Sequence, residues 1–243
     1  MKFHKVNVEE REELGGYTLL RYPWNGPLEP GQFVMARAAG YPITLDPFLA
    51  RPFSFYDHDG EVASLLFEVR GRGTALLDVA STMEVTAPLG KGFKIEPELG
   101  HAALLGGGIG VAPLKILGRH LDAMGVPHDV FLGFADAEAS VVTRNFPRAE
   151  VATMDGSVGI HGTVLDTGVV LNDYGAIYSC GPNPMLAAVK LAAGDGILCQ
   201  LSVEERMGCG NGSCNGCVVP VHGGGYVRSC IEGPVFDAEA LAW

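Results

Sequence analysis

The sequence predicts a β + α/β chain. An N-terminal antiparallel β-barrel (residues 1–97) precedes a central doubly wound parallel sheet (98–197) and a small cysteine-bearing segment (198–243). Three observations carry this. Short alternating runs closed by Gly, Pro or Asp fill the first part of the chain. After "ELG" at 98–100, apolar strands alternate with helical patterns. Four of the six cysteines then fall between 209 and 230.

In the first region "FHKVNVEEREELGGYTLLRYP" reads as a hairpin turning at Gly15 and Gly16. "GQFVMARA", "ARPFSFYDHDG", "EVASLLFEVRG" and "STMEVTAPLG" follow as strands, with one helix at "TALLDVA". Strands at this spacing suit a small antiparallel barrel. In "ARPFSFYD", Arg51 lies two residues before an aromatic expected to face outward, Phe53, and three before Ser54. An arginine and a hydroxyl can clamp a phosphate, and an aromatic can stack on a flat ring; an Arg on a barrel face is otherwise simply solvated.

In the second region "HAALLGG" is a buried-type strand. "GIGVAPLKILGRHLDAMG" follows as a helix with Val111, Leu114, Leu117 and Leu121 on one face, Pro113 in its first turn and Gly125 at its end. "HDVFLGFAD", "EVATMDG" and "AIYSCGP" read as further strands and "NPMLAAVKLAAG" as a second helix. Gly106, Gly107, Gly108 and Gly110 let the strand–loop–helix turn approach a pyrophosphate, although a tight turn with no ligand would look similar. The loop "YSCGPNPML" ends a later strand, where ligand crevices of such sheets lie. Asp136 and Glu138 could accept from a ribose hydroxyl and would repel a 2′-phosphate, favouring NAD over NADP; a solvated loop reads equally well.

The cysteine spacing is Cys209-x4-Cys214-x2-Cys217-x12-Cys230. Its first three cysteines reproduce the plant-type C-x4-C-x2-C…C arrangement that ligates a [2Fe-2S] cluster. Gly208, Gly210, Gly212 and Gly216 let the loop curl and free N–H groups to point at sulfur. A structural zinc, using Cys230 or His222 as fourth ligand, and a set of disulfides are the alternatives. Cys180 and Cys199 stand apart, and Cys199 reads as a small buried hydrophobe.

Composition narrows the partners. In 243 residues, 47% hydrophobic content supports more than one core, and 17 Lys plus Arg against 28 Asp plus Glu give −11. No basic run would neutralise a nucleic-acid backbone. The N-terminus lacks the apolar core of a secretory signal, and the longest greasy stretch is broken by glycines and Lys115. The expectation is a cytoplasmic protein with no nucleic-acid or membrane partner, in a compartment that disfavours disulfides.

Taken together, "RPFS", "GGGIGVAPL", "CGPNPML" and "EERMGCGNGSCNGCVV" resemble the electron-transfer subunits of NAD-dependent bacterial dihydroorotate dehydrogenases, within the ferredoxin-reductase group. The resemblance covers nearly the whole chain, and the last motif is the most specific. It implies an FAD barrel, an NAD-binding domain and a [2Fe-2S] segment. FAD would be held by Arg51, Pro52, Phe53 and Ser54, with further contacts from Leu66, Phe67, Glu68, Gly73 and Thr74. Position 68 is usually basic in the resembling proteins, so Arg70 or Arg72 would stand in for it. Gly107, Gly108, Gly110, Cys180, Gly181 and Pro182 would flank the nicotinamide and its diphosphate; Glu204 and Glu205 could reach its amide or be solvated. Cys209, Cys214, Cys217 and Cys230 would ligate the cluster.

Nothing in the chain is left over for a substrate-oxidising barrel, so the resemblance implies half of a hetero-oligomeric enzyme. Its partner would be an FMN-containing dihydroorotate-oxidising subunit. The same module could serve a sulfide-, hydrogen- or pyrimidine-oxidising partner, and a zinc-containing interaction protein is the reading from another class.

Overall fold

The computed structural model describes residues 1–40 and 47–243. Seven antiparallel strands form the first sheet: β1 (Phe3–Asn7), β2 (Glu10–Leu14), β3 (Tyr17–Pro23), β4 (Phe33–Ala38), β5 (Arg51–His58), β6 (Val62–Glu68) and β7 (Thr82–Thr86). Their spatial order is β1-β7-β4-β5-β6-β3-β2. Gly15 and Gly16 do turn a hairpin, with Leu14 opposite Tyr17. Its first arm is shorter than the sequence suggested, because the chain breaks pairing at Val8 and Glu9 and β1 runs against β7 instead. The Val8 N–H donates to Ser81 and the Glu9 N–H to Arg21, so this corner stitches the two ends of the sheet into a barrel-like wrap. Tyr22, Phe55, Leu65 and Met83 fill its core. Helix α1 (Arg72–Val79) plugs one end with Leu77.

The second sheet has the order β11-β10-β9-β8-β12-β13-β16. Its strands are β8 (Ala102–Gly107), β9 (His128–Phe134), β10 (Glu150–Thr153), β11 (Ile160–His161), β12 (Ala176–Gly181), β13 (Leu198–Val203) and β16 (Val235–Asp237). All neighbours are parallel except β13 and β16. Side chains alternate along β8, as the strand period requires. Leu104 packs with Leu114, Leu117 and Leu121 of helix α2 (Ala112–Met124), while Ala103 and Leu105 pack with Leu186 and Val189 of helix α4 (Asn183–Ala193). Helices on both faces make the sheet doubly wound. The order reverses between β8 and β12, which puts a crevice at their carboxyl ends.

Leu198–Val203, which the division at 197/198 left in the tail, is a full strand of this sheet, paired along its length with β12. The cysteine loop leaves from its end. A two-stranded hairpin, β14 (Val218–Pro220) and β15 (Tyr226–Arg228), and the short helix α5 (Ser229–Glu232) follow. The chain then re-enters the sheet as β16. The remaining short helix, α3 (Ala137–Ser140), follows β9.

Helix α2 joins the two sheets. Its Ile116 is buried in the barrel cluster, Tyr56 of the barrel is buried among the second sheet's residues, and the Arg119 guanidinium pairs with Asp57 at 3.0 Å. The hairpin turn also abuts α3: Gly15 has φ +62°, and a Cβ there would overlap the Glu138 carbonyl. Gly15→Ala is therefore expected to destabilise the chain by about 1–3 kcal/mol, from left-handed strain and a backbone clash. The midpoint of urea unfolding checks this.

Candidate functional site

A cleft of about 830 Å³ opens between the barrel, the carboxyl ends of β12 and β13, and the start of the cysteine segment. That size is typical of ligand clefts. The barrel wall is built from β5, the end of β6 and the N-terminus of α1. Arg51, Pro52, Phe53, Ser54, Leu66, Phe67, Glu68, Gly73 and Thr74, all singled out from sequence, line it. Phe53 departs from its expected orientation. It is buried in the barrel core, its ring 5.3 Å from that of Phe67, while its neighbours along β5, Pro52 and Ser54, line the cleft. What it offers the cleft is a margin, not an open stacking face.

The start of α1 is shaped for an anion. The Thr74 hydroxyl oxygen accepts the N–H groups of Arg70 (3.0 Å) and Gly71 (3.1 Å), which pins the turn. Gly73 carries no side chain, and the Arg51 guanidinium occupies the space where a Cβ would stand. A fixed cation over the positive end of a helix suits a diphosphate. Glu68 does not make this wall negative, since its carboxylate accepts from Arg70 Nε at 2.8 Å. The same guanidinium lies 4.0 Å from Glu204, at the end of β13, and so spans the mouth of the cleft. Tyr17 is pushed up to about 12, by burial and then by the charge of Glu68, and stays a neutral phenol.

The opposite wall holds the glycine loop. Gly110, Cys180 and Gly181 line the cleft as expected; Gly107, Gly108 and Pro182 do not. Gly107 is small for a different reason: the Met185 sulfur of α4 fills its Cβ space, and the same side chain packs on Gly181. Gly110 is needed because a Cβ there would overlap the Cys180 carbonyl. Pro182 serves as the N-cap of α4. The Cys180 thiol is pushed up to about 12 by burial and borders the cleft uncharged. Asp136 accepts the Ala139 N–H at 2.9 Å and caps α3, so its carboxylate is engaged in the fold. Cys199 is buried, as expected.

Sequence reasoning missed Ile109 in the turn before α2, Ala112 and Pro113 at its start, and Ser202, Val203, Arg206 and Met207 on and after β13. The signal lay in the strand ends: residues following β8, at the switch point, and β13, the parallel neighbour of β12, border the crevice.

The four tail cysteines carry free thiols. They fall into an outer and an inner pair. On the loop, the Cys214 N–H donates to Cys209 Sγ and the Gly216 N–H to Cys214 Sγ, both at 3.4 Å. Burial raises the Cys209 pKa, but N–H donors from Asn211, Cys214 and Ser213 outweigh it and bring the thiol down to about 6. Cys217 and Cys230 are buried, 2% and 1% exposed. Cys230 is pushed up to about 12 by burial and then by the neighbouring Cys217 thiol. Among the described residues no three potential ligands converge on a point that would hold a single ion. Two pairs of sulfurs, with backbone donors aimed at them, suit a two-iron centre in which each iron takes two cysteines. Gly210 and Gly212 sit at φ +66° and +80°, curling the loop against Met35 and Ile231.

The inner pair and the cleft share a wall. Phe33, Ala50 and Met207 pack against Cys217 and Cys230 and also line the cleft.

Comparison with known proteins agrees with this layout. The family model for the iron-sulfur cluster binding domain of dihydroorotate dehydrogenase B matches residues 204–242. The electron transfer subunit of dihydroorotate dehydrogenase B (NAD(+)) from Listeria welshimeri is 39% identical over 228 residues, 88% of each chain. That from Bacillus caldolyticus is 40% identical over 223 residues, 86% of this chain and 85% of its own. A solved NADH-dependent reduced ferredoxin-NADP oxidoreductase superposes with TM-score 0.84 over 98% of this chain and 90% of its own, at 24% identity, a likeness of fold. Identity at this level across most of both curated relatives, on a fold that sets Cys217 and Cys230 behind one wall of a cleft, places the chain in the family of electron transfer subunits of dihydroorotate dehydrogenase B (NAD(+)).

Proposed function

We propose that this chain carries electrons from an FMN-containing, dihydroorotate-oxidising partner subunit, through a [2Fe-2S] cluster and FAD, to NAD⁺. The observation that carries the reading is the wall of Phe33, Ala50 and Met207 that separates the inner cysteines from the cleft. When bound, the cluster passes electrons singly, and FAD exchanges single electrons on one side and a hydride on the other.

The chain's own residues hold and align these groups. Arg51 and the N–H groups at the start of α1 receive the FAD diphosphate, with Gly73 leaving room for the guanidinium. Pro52, Ser54 and Leu66 supply the barrel side of the ring site, and Ile109, Cys180 and Val203 face them across the cleft. The neutral Cys180 thiol brings no charge to the nicotinamide side. Arg70, held by Glu68 and Glu204, takes the place of the basic residue expected at 68. Cys209, Cys214, Cys217 and Cys230 ligate the irons as thiolates. Hydride transfer between stacked rings needs alignment, and no side chain is required to move a proton.

The FAD module is assigned to residues 1–97, and the NAD module to the second sheet. The cluster segment is assigned to the excursion between β13 and β16. Among the described residues no helix is long and apolar enough to cross a membrane. A reducing, cytoplasmic setting is supported by six free cysteines, four of which must stay reduced to bind iron.

The test is reconstitution. With an FMN-containing dihydroorotate-oxidising subunit, the loaded chain is expected to form NADH from dihydroorotate and NAD⁺. No NADH from two fully loaded subunits would refute the assignment.

A further inference from the structure

Among the described residues, three buried side-chain polar atoms lack any hydrogen-bond partner: Tyr22 Oη, Trp24 Nε1 and Ser229 Oγ. The first two belong to the barrel core or pack against it. Ser229 is different. It is 0% exposed, and it stands in sequence between Arg228 and the ligand Cys230.

Its placement opposite Cys217 is set by the hairpin. In the β14–β15 ladder Val218 pairs with Arg228, and the Ser229 N–H donates to the Cys217 carbonyl at 2.9 Å, which extends the register by one step. Ser229 opens α5 one residue past the last ladder pair, so this hydrogen bond fixes its backbone directly beside Cys217, with Cys230 next along the helix.

A buried hydroxyl without a partner is destabilising, and native interiors rarely keep one. Nothing among the described residues satisfies it. Arg228 is committed to Glu232 and the Gly212 carbonyl. The group that belongs beside Cys217 and Cys230 is rich in negative sulfur acceptors. A donor to those sulfurs binds the reduced, more negative cluster better than the oxidised one and so raises its potential.

We propose that Ser229 donates its hydroxyl hydrogen to sulfur on the Cys217–Cys230 side of the cluster and sets the cluster's potential upward. The inference rests on the reading that the four cysteines hold a [2Fe-2S] cluster. Ser229 then acts as a tuning residue for electron entry, through a contact that neither the cysteine spacing nor the glycine pattern reveals.

The experiment compares the wild-type holoprotein with Ser229→Ala and Ser229→Thr, each measured for iron, acid-labile sulfide and midpoint potential by EPR-monitored titration. Ser229→Ala is expected to keep full iron and sulfide while its reduction equilibrium falls about 3- to 10-fold, equivalent to about 28–59 mV for a one-electron couple. Ser229→Thr, which keeps the hydroxyl, is expected to retain the wild-type potential. Ser229→Gly removes the same hydroxyl without leaving a methyl group and is expected to follow the alanine variant; it gives the reading if the alanine variant does not load. A loaded alanine or glycine variant with an unchanged potential overturns the proposal and leaves the cluster assignment standing. A wild-type protein with no iron or labile sulfide overturns the cluster assignment beneath it.

Discussion

Cys217→Ala is expected to cut dihydroorotate-dependent NAD⁺ reduction by about 100-fold or more. Outer-shell partners of a metal typically cost about 10–100-fold when removed, so deleting a direct ligand belongs at or beyond the upper end. Cys217 is the sharpest choice of the four. It is buried with Cys230 against Phe33, Met35 and Ala50, where water cannot readily replace a missing thiolate. NADH-dependent reduction of the flavin should stay within about twofold of wild type, because that exchange uses the far wall of the cleft and distant sites act nearly independently. Stopped-flow bleaching of the flavin, alongside iron and labile-sulfide analysis, separates the two activities. Loss of flavin reduction in a variant that still carries its iron would refute the order of transfer proposed here.

Gly73→Ala is expected to weaken FAD binding by about 10- to 100-fold while leaving the unfolding midpoint of the flavin-free chain nearly unchanged. The added methyl would overlap the Arg51 guanidinium, the far end of a flexible side chain that can swing away. What is lost is the position of the cation over the start of α1. A charge-assisted hydrogen bond to phosphate contributes about 1.5–3 kcal/mol, the size of the expected loss. Arg51→Ala should give a similar loss by a different route. Isothermal titration with FAD checks both variants, and unaltered affinity in both would remove Arg51 from the diphosphate site.

Much of this arrangement is legible in the residues. The apolar stripe Val111, Leu114, Leu117 and Leu121 is buried on one face of α2, because the helical period leaves it nowhere else to go. The cysteine spacing is legible because four thiolates around two irons constrain the loop that presents them. The strand at 198–203 was hidden by its own side chains. Gln200 and Ser202 interrupt its apolar run, yet both are buried, and Gln200 Oε1 accepts the Lys94 N–H at 2.8 Å. A buried amide paid for by a residue 106 positions away leaves no local trace. Phe53 misled for a related reason: β5 buries Phe53, Phe55 and Tyr56 and leaves Pro52 and Ser54 half-buried at the cleft, so its alternation does not separate core from solvent. The acid at 68 looked like a defect in a phosphate site, but its partner, Arg70, lies two residues further on and neutralises it.

Both stems of the cysteine excursion are strands of one sheet, β13 on the way out and β16 on the way back. During synthesis the ligand loop emerges before the strand that closes it, so the nascent loop dangles from an unfinished edge. Metal delivered at that stage would meet four thiols with no fixed spacing. Once β16 has zipped onto β13, the ends of the loop are anchored and much of the entropy of gathering its ligands has already been spent. Maturation should therefore run in sequence, polypeptide first and inorganic centre second, with the sheet serving as the jig.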